Sequence, residues 1–136
     1  MKFTKDDKEL RELAKDVISE FENVRHLANY KDQVRIGYQW SDRDKVKNGC
    51  VVYGDCEKVK PKLKQFIDYD FIITFYASAK EISDRARKIL MYHELRHIGI
   101  DKDDMGELTF YIVPHDIEDF SDIINTYGEH WQTSIV

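Results

Sequence analysis

The chain has 136 residues, 42% of them hydrophobic and 35% charged, and a formal net charge of −5 at pH 7. That length suits a single α+β-sized domain over 1–136 with a real core, and the composition excludes a disordered chain. The acidic balance argues against a dedicated nucleic-acid binder, which needs a basic face. No apolar run approaches the roughly 20 residues that cross a bilayer, so no membrane partner is expected. The N-terminal MKFTKDDKELRELAKD lacks the apolar core of a signal peptide, which makes a cytoplasmic location the expectation. Cys50 and Cys56 make no disulfide framework and are expected to be reduced. Their even separation would put both on one face of a single strand.

Along residues 5–29, Leu10, Leu13, Ala14, Val17, Ile18, Phe21, Val24 and Leu27 recur at threes and fours, the spacing of an amphipathic helix. Val34, Ile36, Tyr38 and Trp40 alternate as in a half-buried strand, and the following SDRDKVKNG is turn-like. Residues 50–59 read as a strand interrupted at Gly54, and 60–66 as a short helix or loop. The run FIITFY at 71–76 predicts a central strand. A second helix is expected from Ser78–Ala79 to about Ile98, stopped by Gly99. Ile82, Ala86, Ile89, Leu90, His93 and His97 share one of its stripes, and Met91, Leu95 and Ile98 an adjacent one. LTFYIV at 108–113 predicts a strand, and 116–127 a third helix. The order is that of a mixed α+β domain, a small sheet packed on an N-terminal helix and a buried helix.

The buried helix carries His93-Glu94-Leu95-Arg96-His97, an H-E-x-x-H motif. Residues four apart lie one turn apart on the same face, so both imidazoles can reach one ion. Zinc accepts two such nitrogens, and the glutamate between them projects beside the bound water without being a ligand. The arrangement is that of a zinc peptidase, with Glu94 as general base. Two core histidines bonded to carbonyls are the competing reading. A buried pair must then stay neutral and satisfy four ring nitrogens, which is demanding.

A catalytic zinc ordinarily takes a third protein ligand. The metzincin extension is absent, because Gly99 is one position early and Asp103 stands where a histidine is needed. Glu118 and His115 both remain open from the residues alone. Asp116 or Asp119 could orient the His115 ring. Tyr111 shares a strand face with His115, as an oxyanion donor or as a packed aromatic.

The stretches Leu90–Ile98, His115-Asp116-Ile117-Glu118-Asp119-Phe120 and Tyr127-Gly128-Glu129-His130-Trp131 resemble the phage-type metallopeptidases, small zincin-like proteins of phages and prophages. Tyr69–Ile73 is similar to the strand those proteins carry before the active-site helix. The resemblance spans roughly residues 34–131. It implies a zincin-like fold, one Zn2+ ion, and a third histidine ligand in the H-D-x-x-x-F segment, which falls on His115. The expected activity is hydrolysis of a peptide or protein substrate laid along a sheet edge. The rival from another class is a zinc-stabilised binding or effector protein without efficient turnover. A DNA-associated protease similar to the SprT-like proteins shares the motif, but the −5 charge opposes it despite Lys58, Lys60, Lys62 and Lys64. Oligomeric state is open.

Overall fold

The structure, a computed structural model, describes residues 3–4, 7–30 and 32–114. The expected third helix, His115, Asp116, Glu118, Asp119, His130 and Trp131 all lie outside the described residues.

Eight strands and three helices are present among the described residues, in a mixed α+β arrangement. The strands are β1 (Phe3–Thr4), β2 (Ile36–Ser41), β3 (Lys45–Lys47), β4 (Cys50–Val52), β5 (Gly54–Lys58), β6 (Phe71–Phe75), β7 (Ile98–Lys102) and β8 (Leu108–Ile112). The helices are α1 (Lys8–Glu20), α2 (Glu22–Arg25) and α3 (Asp84–Leu95).

Helix α1 starts where Asp7 accepts a hydrogen bond from the Leu10 amide at 2.9 Å, an N-cap that satisfies an orphan donor. Leu10, Ala14 and Val17 bury its apolar stripe. The continuous helix expected to residue 29 breaks at Phe21, which takes extended backbone angles. Its ring stacks on Tyr92 of α3, with centroids 4.3 Å apart and planes within 13°. A tertiary contact therefore overrides the helical periodicity. The short α2 and a 3-10 turn at His26–Tyr30 follow, still burying Val24 and Leu27.

The main sheet has the order β1-β2-β6-β5. Strands β2 and β6 are parallel, while β1 and β5 run antiparallel to their neighbours. As FIITFY predicts, β6 is an inner strand, with Phe71, Ile73 and Phe75 fully buried. Burying each such side chain contributes about 1.5–3 kcal/mol. The register aligns Tyr38, Ile73 and Cys56 in one row and Trp40, Phe75 and Gly54 in another, on the face toward the helices. The opposite face is more polar. There Gln39, Thr74 and Asp55 align, and the Gln39 amide donates to Thr74 Oγ1 at 2.8 Å.

The turn-like SDRDKVKNG instead contributes β3, which pairs with β4. Asn48 (φ 53°) and Gly49 (φ 79°) form the two-residue turn, whose twist suits a tight hairpin. The single strand expected over 50–59 is two strands parted at Tyr53. Cys50 is thus exposed on the hairpin, while Cys56 is half-buried in the sheet. Their even spacing does not put them on one face of one strand, because they belong to different sheets.

Helix α3 begins later than expected. Residues 77–80 form a 3-10 turn, and Ser83 Oγ accepts from the Ala86 amide at 3.1 Å to cap the helix. It also ends earlier, at Leu95, not at Ile98. Gly99 is not a helix stop but a residue of β7, paired with Tyr111 of β8. A Cβ at Gly99 would lie 2.3 Å from the Tyr111 ring, so glycine is there for a close approach. Every residue from Ile89 to Leu95 is buried, which accounts for the two apolar stripes seen in the sequence.

Removing the cap of this helix should be felt directly. Ser83→Ala is expected to destabilise the fold by about 1 kcal/mol, read as a lower urea midpoint at unchanged slope.

Candidate metal centre

His93 and Glu94 occupy the last turn of α3, and His97 follows in the turn after it. The Arg96 and His97 amides bond to the Tyr92 and Glu94 carbonyls at 3.1 Å each, so the chain keeps a helical course past the helix end. The four-residue spacing therefore still works. The two imidazole centroids lie 5.3 Å apart at 79°. One ligand atom from each of His93, Glu94 and His97 can be chosen so that all lie within 4.8 Å of one another.

The polar cluster sits inside the fold. His93 is 5% and Glu94 3% exposed. Glu94 Oε1 lies 4.0 Å from His97 Nε2. A buried carboxylate beside two imidazoles is a costly set to desolvate. A divalent cation matches it in charge and in donor type. The residues present thus fit the metal that the motif implies.

The His97 ring is fixed from behind. Its Nδ1 lies 2.7 Å from the Val113 carbonyl oxygen, which can only accept. Nδ1 is therefore the protonated nitrogen, and the lone pair is on Nε2, the side facing Glu94. The Val113 amide in turn donates to the His97 carbonyl at 2.8 Å. The β7–β8 hairpin, formed by pairs from Ile98↔Ile112 to Lys102↔Leu108, brings Val113 back to this point. Nothing in the sequence marks a backbone carbonyl for such a role.

Glu94 is seated against β5. A Cβ built on Gly54 would lie 3.5 Å from Glu94 Oε2 and 3.1 Å from the Thr74 carbonyl oxygen. The glycine read in the sequence as a strand interruption is thus where the sheet leaves room for the carboxylate. Cys56 lies on the same face. Burial, and then the Glu94, Asp55 and Glu57 carboxylates, push its thiol well above the ordinary range. It is held as a thiol, which is a poor nucleophile and a poor metal ligand.

Of the other expected site residues, Tyr111 is 41% exposed and its ring lies against Gly99. His115, Glu118, Asp116 and Asp119 are beyond the described residues. Among the Lys58–Lys64 lysines, Lys64 is bound to Asp70 at 2.8 Å and sits 5.1 Å from the Phe110 ring centroid.

Two outcomes follow. Gly54→Leu should displace Glu94 and abolish any activity that needs it, while far-UV circular dichroism stays close to wild type. Iodoacetamide should label Cys50 first at neutral pH. Labelling of Cys56 should keep accelerating above the usual thiol pKa of about 8.5, because a raised pKa delays the thiolate. Peptide mapping after timed labelling distinguishes the two.

No curated protein and no solved structure matches this chain. The family described as "Putative phage metallopeptidase" matches residues 1–135. The chain, with its buried His-Glu-His cluster at the end of α3, belongs to that phage metallopeptidase family.

Proposed function

We propose that this protein is a zinc-dependent metallopeptidase, with 1–136 as one zincin-like domain. The observation that carries the reading is the geometry of His93, Glu94 and His97: a buried donor set with one ring locked in the tautomer that turns Nε2 toward the cluster. His93 and His97 would hold the ion through ring nitrogens, with His115 as third ligand and Glu118 as its alternative. When bound, zinc supplies a Lewis acid that polarises a carbonyl and acidifies water toward a pKa of about 7.

The chain's own residues do the rest. Glu94 takes a proton from the attacking water as its oxygen bonds to the peptide carbonyl carbon. As the C–N bond breaks, Glu94 returns that proton to the departing amine. Its seat against Gly54 keeps the carboxylate at the end of β5. Among the described residues β5 is the last strand of the main sheet, and we place a substrate strand along that edge, held by main-chain hydrogen bonds. Substrate and catalytic carboxylate would then share one strand as their reference. The free thiols of Cys50 and Cys56 are compatible with a reducing compartment, and the cytoplasm is our proposed location for the activity.

Glu94→Gln should retain stoichiometric zinc while turnover of a peptide mixture falls by about 10²–10⁴, the usual range for a lost general acid–base group. His97→Ala should lose the metal. Plasma emission spectrometry on His115→Ala and Glu118→Ala identifies the third ligand by which variant loses zinc. Full zinc with no turnover in the wild type, and a large chelator-induced fall in Tm, would instead support a zinc-stabilised binding protein.

A further inference from the structure

Between α1, the 3-10 turn at His26–Tyr30 and β2 lies a cavity of about 450 Å³ that shares no residue with the metal cluster. Protein interiors leave few voids larger than a water molecule, and small-molecule sites measure about 300–1,000 Å³.

The cavity exists because α1 stops early. A helix continued to residue 29 would carry Leu27 about 13 Å along its axis from Ile18. The break at Phe21 and the 3-10 turn instead bring Ile18, Leu27 and Ala28 to one enclosure. Val34, Ile36 and Tyr38 complete its apolar lining. Leu27, Val34 and Tyr38 are buried members of the core. This part of the wall is therefore set by folding and is in place before a ligand arrives, which lowers the ordering cost of binding.

The polar lining is one-sided in charge. It holds Arg11, Lys15 and Arg25, and no carboxylate lines the cavity among the described residues. In a chain with 26 acidic and 21 basic residues, that is a segregation of charge. Helix α1 produces it. Arg11 and Lys15 are four residues apart and share a flank, whereas Glu9, Glu12 and Asp16 line a separate cleft with Asp84. Lys15 does approach Glu12 at 3.6 Å, but both are largely exposed, and such a pair is weak. Arg11 is held at the cavity. Its guanidinium stands 5.2 Å from the Tyr38 ring centroid and donates to the Ile36 carbonyl at 3.4 Å.

These two properties select one ligand chemistry. Apolar walls cannot replace the water around a bare anion, and a neutral hydrocarbon makes no use of three cations. A molecule that satisfies both has an aliphatic chain and an anionic head. A guanidinium matches a carboxylate in fork geometry.

We propose that this cavity binds a medium-chain alkyl carboxylate, its chain against Ile18, Leu27 and Ile36 and its head at Arg11, Lys15 and Arg25. The site stands independently of the peptidase reading.

Calorimetric titration of the full chain with decanoate, below its micellar range, should show one saturable site. Decanol, which keeps the chain without the charge, and butyrate, which keeps the head with little chain, should each bind about tenfold more weakly, the loss expected for one charge-assisted bond or for a few buried methylenes. Lys15→Glu/Arg25→Glu changes two exposed positions and should weaken decanoate binding about tenfold, less so at high salt. Ala28→Trp, at an exposed position of the lining, should fill the cavity and abolish binding while Tm stays near wild type. Undiminished binding by Ala28→Trp overturns the cavity as the site. Equal affinity for decanol and decanoate overturns the anionic head. No binding by the wild type overturns the proposal outright, as does retention on phosphatidylglycerol vesicles without decanoate binding, which would make the basic flank a membrane-surface contact.

Discussion

The site depends on a reciprocal pair of hydrogen bonds between His97 and Val113. The His97 ring donates to the Val113 carbonyl, and the Val113 amide donates to the His97 carbonyl. One bond sets the ring and the other sets the backbone that carries it. Neither can form unless β7 and β8 pair in register, so the hairpin is a positioning device and not an appendage. The early end of α3 has the same cause. Had the helix run on to Ile98, that residue could not pair with Ile112 and Val113 would not come back beneath the ring.

Glu94 is governed by the opposite kind of constraint, the absence of a side chain. Gly54 is in the row with Trp40 and Phe75, two bulky rings that meet edge to face at 5.5 Å. Where the row reaches the sheet edge the bulk stops, and the carboxylate occupies the vacated volume. Close packing makes such a gap specific, because interiors leave few voids larger than water. The same strand then carries the seat of Glu94 and, through Tyr53, continues from the β3–β4 hairpin.

Much of this was legible in the chain. The apolar stripes of α3, the alternation of β2, the inner strand at 71–76 and the H-E-x-x-H spacing all arise from local periodicity, which a linear sequence displays. What was hidden depends on partners far away in sequence. Phe21 leaves its helix for Tyr92, and Gly99 belongs to a strand because Tyr111 needs its surface. The turn-like 41–49 segment contains a strand that exists only because β4 pairs with it. Gly54 was visible as an interruption, but its purpose is set by Glu94, forty positions later. The Val113 carbonyl left no trace at all, since every residue has one.

The bond from His97 to Val113 has a bearing on how quickly an ion could be taken up. A solvated neutral imidazole exchanges between two tautomers and rotates freely about its side-chain bonds. Here both choices are made when the polypeptide folds, as the ring proton is committed to a backbone oxygen. Neutral His97 therefore has no proton to relocate and little rotational freedom to surrender on coordination. The cost of arranging that donor is charged to folding, and capture at this position becomes chiefly a matter of encounter and dehydration.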